Sequence, residues 1–239
     1  MKKIRVSAVS YTNTKPFIYG LQHSDIFEKI ELSLDNPSDC AQKLIDNEAD
    51  IGLVPVAALP DIPGYKIIAD YCIGAVQAVN SVFVFSNVPI EDVITLRLDS
   101  QSRTSNSLAK VLLKNYWKLN PQLITDGEAD AFVEIGDRTF GKKNKYPYVY
   151  DLAEEWVDFT GLPFVFAVWA ANKAIPTDFV EDFNAALKLG LGSREALIKE
   201  IPPFDNFDLN DYLMDRIDFV FDAKKQDALE RFLVFIEEL

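Results

Sequence analysis

The sequence predicts an α/β protein built as two similar lobes, and three observations carry that prediction. The pentapeptide Asp46-Asn47-Glu48-Ala49-Asp50 recurs as Asp126-Gly127-Glu128-Ala129-Asp130, identical at all but its second position. Each copy is read as following a helix and preceding a short apolar strand with a polar exit, so the shared order points to an internal repeat. Two mostly apolar runs, residues 79–85 and 164–170, flank the middle of the chain and read as buried strands. Finally, polar residues gather where strands run out into helices, the edge at which open α/β sheets bind ligands. A chain of 239 residues accommodates two lobes of roughly 100 residues each. The expected division is residues 1–85 plus 170–239 for lobe 1 and 86–169 for lobe 2, with the two apolar runs as crossing strands. A ligand would then sit in the cleft beside those strands.

Taken in order, Ile4, Val6, Ala8 and their neighbours form the first strand, rich in β-branched residues. Ser10-Tyr11-Thr12-Asn13-Thr14-Lys15-Pro16-Phe17 leaves it, and Phe17, Ile18 and Leu21 recur at helical spacing with Pro16 near the first helical position. Asn13 and Thr14 either cap that helix or turn their polar groups toward a guest. Ser38 reads as the cap of a second helix with Cys40, Ala41, Leu44 and Ile45 on one face. Ile51-Gly52-Leu53-Val54 is a short buried strand ending at Pro55, after which Val56 opens a helical turn.

In the middle segment Ile94, Leu96 and Leu98 alternate as a strand, and Leu108, Val111, Leu112 and Tyr116 share a helical face. Between them Ser102, Thr104, Ser105 and Ser107 crowd the helix N-terminus together with Asn106. One residue suffices for a cap. The surplus hydroxyls, with free backbone N–H groups and the positive helix end, suit a carboxylate or phosphate cradle; a solvated polar loop is the alternative. The strand after the second pentapeptide, residues 131–135, exits at Gly136-Asp137. Residues 151–160 form an acidic helix stopped by Gly161 and Pro163, with Trp156 as packing. Two further helices, with faces through Phe179, Phe183 and Leu187 and through Ala228, Phe232 and Ile236, are expected to return to lobe 1 and cover its sheet.

Bulk properties narrow the function. A net charge of −13 argues against nucleic acid and against an anionic membrane as partners. No run approaches the ~20 apolar residues of a membrane span, and Arg5, Ser7 and Ser10 interrupt the apolar core that Lys2 and Lys3 would precede in a leader peptide. A soluble, cytoplasmic protein is therefore expected. Cys40 and Cys72 have no partner spacing and read as small buried hydrophobes. His23 is the only histidine, in a polar stretch, and no catalytic triad can be built on it. Metal-ligand spacings and the glycine motifs of nucleotide cofactors are absent from the sequence, so no metal and no cofactor are expected. An enzyme of this composition would work through positioning, polar groups and functional groups of the substrate itself.

The strand exits together resemble the chorismate dehydratase family of the menaquinone pathway that runs through futalosine. Residues 10–17 are similar to its S-Y-x-N-T-K-P opening. Gly52-Leu53-Val54-Pro55-Val56-Ala57-Ala58-Leu59, Ser102-Arg103-Thr104-Ser105, Ile135-Gly136-Asp137-Arg138 and the stretch from Thr160 to Trp169 follow in the same order. The resemblance implies a type II periplasmic-binding-protein-like fold and loss of water from chorismate to give 3-[(1-carboxyvinyl)oxy]benzoate. By motif position it implies Asn13 and Ser81 as catalytic residues. It places Thr14, Pro55, Val56, Ser102, Thr104, Ser105, Gly136 and Asp137 against the substrate, with Thr104 and Ser105 on one carboxylate. Arg103 and Arg138 are either further carboxylate partners or structural ion pairs. The rival expectations are a two-lobed binding protein for a small carboxylate and the sister enzyme 1,4-dihydroxy-6-naphthoate synthase. For the sister enzyme a different first loop and a histidine in the cleft are expected.

Overall fold

The structure is a computed structural model and describes residues 3–239; the leader reading at Lys2 lies outside the described residues. The chain opens with β1 (Ile4–Val9), a 3-10 turn (Thr12–Thr14), α1 (Lys15–Gln22), β2 (Ile30–Asp35), α2 (Pro37–Ile45) and β3 (Ile51–Pro55). A second 3-10 turn (Val56–Asp61), β4 (Lys66–Ala75), β5 (Val82–Ser86), β6 (Thr95–Arg97), α3 (Arg103–Leu112), β7 (Gln122–Ile124) and β8 (Ala131–Ile135) follow. After a third such turn (Gly136–Thr139) come β9 (Tyr148–Asp151), α4 (Leu152–Thr160), β10 (Phe164–Ala171), α5 (Thr177–Gly192) and α6 (Arg194–Glu200). The chain closes with the one-turn α7 (Leu209–Asp211), β11 (Asp218–Val220) and α8 (Ala223–Glu237).

The strands make a six-stranded sheet in the order β11-β4-β10-β3-β1-β2 and a five-stranded sheet in the order β7-β6-β8-β5-β9. Contacts divide the chain into two units. The first holds the chain through Ile73, with Phe166–Pro202 and Phe219–Asp222; the second holds Gly74–Val165, Pro203–Asp218 and Ala223–Leu239. Both units repeat one plan. In the first, β1 pairs in parallel with β2 and β3, and β10 lies antiparallel on β3. In the second, β6 pairs in parallel with β7 and β8, and β5 lies antiparallel on β8.

The repeated pentapeptide has the same task in each unit. Asp50, its last residue, accepts from the backbone N–H of Arg5 at the start of β1 (2.9 Å). Asp130, the matching residue, accepts from the N–H groups of Ile94 and Thr95 at the start of β6 (3.0 and 2.8 Å). Each aspartate thus ties the strand it precedes to the strand's parallel neighbour, filling donors that the ladder leaves over. The two copies are equivalent as tethers, but the helix expected before each is present only before the first, where α2 leads in; a strand, β7, leads into the second.

In the first unit Phe17 of α1 meets Trp169 and Phe219 edge-on at 5.9 and 5.3 Å, and Trp169 meets Phe183 of α5 at 5.1 Å. In the second, Trp156 of α4 packs edge-on against Phe164 and Phe232 at 5.4 and 5.7 Å, while its indole N–H donates to the Pro163 carbonyl (3.0 Å). Such aromatic pairs add about 0.5–1.5 kcal/mol each beyond the area they bury. Gly161 ends α4 in the left-handed conformation (φ 71°), as its position in the sequence predicts.

Three expectations are corrected. The run at 79–85 does not cross between units: it forms β5 in the interior of the second sheet, paired on both sides by β8 and β9. All five residues of β5 are buried, and an interior strand is as apolar as a crossing one. The division falls instead inside β4, between Ile73 and Gly74, ahead of the run read as crossing. Second, α8 packs within the second unit, with Phe232 and Phe235 against Trp156, rather than covering the first sheet. Third, α2 is capped in position by Asn36, not Ser38, because Pro37 occupies the first helical position.

Candidate functional site

In the first unit β1 and β3 are parallel neighbours, so the loops leaving them emerge at the same carboxyl end of the sheet. Asn13 lies in the turn after β1, and Pro55 and Val56 lie where β3 enters its own turn, both buried. Thr14 occupies the cap position of α1, yet its hydroxyl makes no capping bond; it donates to the Asn13 side-chain oxygen at 3.2 Å. Of the two readings open in the sequence, the cap is therefore not the one the side chains adopt. With Oδ1 engaged, the amide NH2 of Asn13 is left as the donor, and it makes no hydrogen bond among the described residues. The same sheet end carries Asp35, which accepts from Ser7, Ser33 and Lys43 at 2.6–2.7 Å. Burial works against its charge, but the Lys43 ammonium and the two hydroxyls hold the carboxyl below the usual range.

In the second unit β6 and β8 are again parallel neighbours, and their exits come together. Ser102 caps α3, accepting from the Ser105 N–H at 3.1 Å. Thr104 and Ser105 are buried, and the first turn of α3 has no acidic residue. The loop before the helix is pinned: Asn106 accepts from the Asp99 N–H and donates to the Asp99 carbonyl (2.9 and 2.7 Å). The buried Asp99 carboxylate in turn accepts from Arg138 at 2.5 Å, joining the α3 loop to the exit of β8. Arg138 is thus engaged in an ion pair; Arg103 stands exposed at the first position of α3.

Ser81 belongs to this group. The Gly136 N–H donates to the Ser81 carbonyl at 2.8 Å, and Gly136 adopts a positive φ of 65° that glycine takes without penalty. Asp137 is partly exposed in the same turn. Asn80, just before Ser81, also has a positive φ (58°), and a buried carboxylate holds it there. Asp151 accepts from the N–H groups of Asn80 (2.7 Å) and Val79 (3.2 Å), and from those of Ala153 (3.0 Å) and Glu154 (3.3 Å) at the start of α4. Burial pushes the Asp151 carboxyl up to about 6, against the opposing pull of those four N–H bonds. The Ser81 hydroxyl is met by Tyr212, whose O–H donates to it at 2.9 Å.

The structure therefore gathers Ser81, Ser102, Thr104, Ser105, Gly136 and Asp137 at one end of the second sheet, and Asn13, Thr14, Pro55 and Val56 at one end of the first. Sequence reasoning does not find Tyr212 or Asp151. Asp151 leads a helix, and its position as the cap is the signal that could have found it. Tyr212 carries no local signal, since it reaches Ser81 across a separation of 131 residues. His23 is exposed, stacked on Tyr19 at 3.9 Å; Cys40 and Cys72 are buried thiols, and that of Cys72 donates to the Val220 carbonyl at 3.8 Å. Burial raises the Cys40 thiol to about 12. Among the described residues no group of three His, Cys, Asp or Glu side chains is placed to hold a metal ion. None of the helices there is long and apolar enough to cross a membrane.

Comparison with known proteins places the chain. It is 26% identical over 186 residues to the chorismate dehydratase of Thermus thermophilus, covering 65% of this chain and 67% of that protein. An Archaeoglobus fulgidus protein solved in a structural genomics programme superposes with a TM-score of 0.75 at 17% identity, over 99% of this chain and 97% of that one. A Candida albicans gene product exhibiting the generic periplasmic binding protein fold superposes with a TM-score of 0.65 at 15% identity, over 100% and 94% of the two chains. At such identities the likeness bears on the fold, which is periplasmic-binding-protein-like, as expected. The sequence profile for menaquinone biosynthesis matches residues 4–238, so the chain belongs to the menaquinone biosynthesis family.

Proposed function

We propose that the protein is a cytoplasmic chorismate dehydratase of menaquinone biosynthesis, converting chorismate to 3-[(1-carboxyvinyl)oxy]benzoate and water without a cofactor. The observation that supports this reading best is the N-terminus of α3. Its first turn is free of acidic side chains, and the buried Thr104 and Ser105 stand beside the cap that Ser102 supplies. Hydroxyls and N–H groups at a positive helix end favour a carboxylate, and chorismate carries two. The relative from Thermus thermophilus bears the same activity in its name.

In this reading Thr104 and Ser105 hold one carboxylate. The enolpyruvyl carboxylate of the substrate takes the ring proton at C3. The C3–H electron pair becomes the third ring double bond, the C4–O bond breaks, and the proton taken up by the carboxylate leaves with the hydroxyl as water, which restores the carboxylate. Aromatisation drives the step. Asn13 and Ser81 orient the carboxylate and assist departure of the hydroxyl; Thr14, Pro55, Val56, Gly136 and Asp137 shape the site.

The test is incubation of the purified protein with chorismate, without metal or nucleotide, followed by chromatography and mass analysis. Loss of one water with an aromatic product is expected. Asn13→Ala and Ser81→Ala should each lower kcat by about 100-fold, the scale of a lost transition-state hydrogen bond. Full activity in both variants would remove these residues from the mechanism. Unchanged chorismate accompanied by thermal stabilisation of the protein would make it a binder rather than an enzyme.

A further inference from the structure

Ser81 combines a clamped backbone, a hydroxyl shielded from solvent, and one buried partner for that hydroxyl. We infer that this partner, Tyr212, is a positioning residue that sets the direction in which the Ser81 proton points. The inference rests on the reading that assigns Ser81 to the dehydration of chorismate.

The backbone leaves Ser81 little freedom. Its carbonyl is held by the Gly136 N–H, and the N–H groups of the two preceding residues are taken by Asp151. What remains adjustable is the side-chain rotamer and the hydroxyl rotor. Tyr212 and Ser81 are each only 1% exposed, so their 2.9 Å bond is not exchanged with water. Of the two hydroxyls the phenol is the more acidic, with a reference pKa of about 10, so the tyrosine donates and the serine oxygen accepts. The serine's own O–H then has to point elsewhere. It is left to donate a hydrogen bond to a substrate oxygen, such as the departing hydroxyl.

The tyrosine is itself held for this task. Its ring lies edge-on to both Phe140 and Phe207, each at 5.2 Å, and those two rings stack on each other at 3.7 Å. Phe204 closes the cluster against Phe140 at 4.8 Å. Below the ring, the Tyr212 N–H donates to the Asp208 carbonyl at 3.1 Å, and the Asp208 side chain accepts from the Asp211 N–H at 2.9 Å. A rigid aromatic body with one polar tip is a precise means of fixing a hydroxyl.

A double-mutant cycle tests the inference, with wild type, Ser81→Ala, Tyr212→Phe and the combined variant assayed on chorismate and melted in parallel. Tyr212→Phe keeps the ring and its packing, so its melting temperature should stay within a few degrees of wild type. Its kcat should fall about 10-fold with KM almost unchanged, as expected when a reacting group is misdirected rather than binding lost. In the Ser81→Ala background the same substitution should have no further effect on kcat, because the group it directs is gone. If wild type turns over chorismate and Tyr212→Phe matches it, the positioning role is wrong and the dehydratase reading stands. The positioning role is equally wrong if Tyr212→Phe slows the Ser81→Ala enzyme as much as it slows wild type. If wild type leaves chorismate unchanged, the dehydratase reading falls and takes this inference with it.

Discussion

Asp50 and Asp151 show how differently two buried carboxylates can be used. Asp50 meets Arg5 at 2.7 Å and Lys173 at 2.6 Å, and accepts a backbone N–H as well. Burial alone would raise its pKa, but the hydrogen bonds from Arg5 and Lys173 bring it well below the ordinary carboxylate value. A depressed folded pKa means the ionised form is favoured by folding. Its stabilisation is complete above the unfolded pKa of about 4 and is lost as the pH falls below that toward the folded value. Asp50→Asn should therefore cost about 2–3 kcal/mol near pH 7, and the gap to wild type should narrow in melts at pH 2–3. Asp151 takes its hydrogen bonds from backbone N–H groups and feels the Arg216 guanidinium only through space, so burial wins. Asp151→Asn would turn an NH2 group toward one of the N–H groups it now accepts, with a loss of about 1–3 kcal/mol on chemical denaturation. Because that loop carries Ser81, kcat on chorismate should fall in the same variant. The residues proposed from motif position, Asn13 and Ser81 among them, could be named from the sequence because short motifs are local. The partners that hold them could not, since a hydrogen bond across 131 residues leaves no periodicity or spacing to read.

Elements reveal a constraint that composition hides. Gly20 of α1 and Gly190 of α5 face each other so closely that a Cβ on Gly20 would run into the Ala186 carbonyl oxygen, and one on Gly190 into the Pro16 carbonyl oxygen. Both obstacles are backbone and cannot swing aside. Gly20→Ala and Gly190→Ala should each lower stability by about 2–3 kcal/mol, the upper part of the usual overpacking range. Gly192→Ala, at the end of the same helix with nothing within 4 Å of the added methyl, should be neutral or stabilising by about 0.5 kcal/mol. Comparing melting temperatures of the three variants checks the contact directly. Helix faces were legible as such: Phe17, Phe183 and Phe232 are all buried where their spacing predicts. Which sheet each helix covers was not, and α8 went to the other unit because an apolar stripe specifies burial without naming the surface that provides it.

At the scale of the whole molecule the charge of −13 makes a simple forecast. Phosphate backbones should be repelled, so duplex DNA should show no mobility shift with this protein even at low salt, where such contacts are strongest. A salt-sensitive shift would reveal a basic surface that the summed charge conceals. The sequence by itself determined the α/β class, the repeated pentapeptide and the strand exits, because hydrophobic periodicity and turn chemistry act over a few residues. It also carried the family, through five short segments that follow the family's order along the chain. Only the tertiary structure decided that the two pentapeptides are equivalent tethers, each aspartate bonded to the start of the strand beside its own. It likewise decided that 79–85 is an interior strand, that Arg138 is bonded to Asp99, and that Tyr212 stands over Ser81. Each of these depends on which segment lies next to which, and that choice is made by long-range pairing and packing rather than by any local preference of the chain.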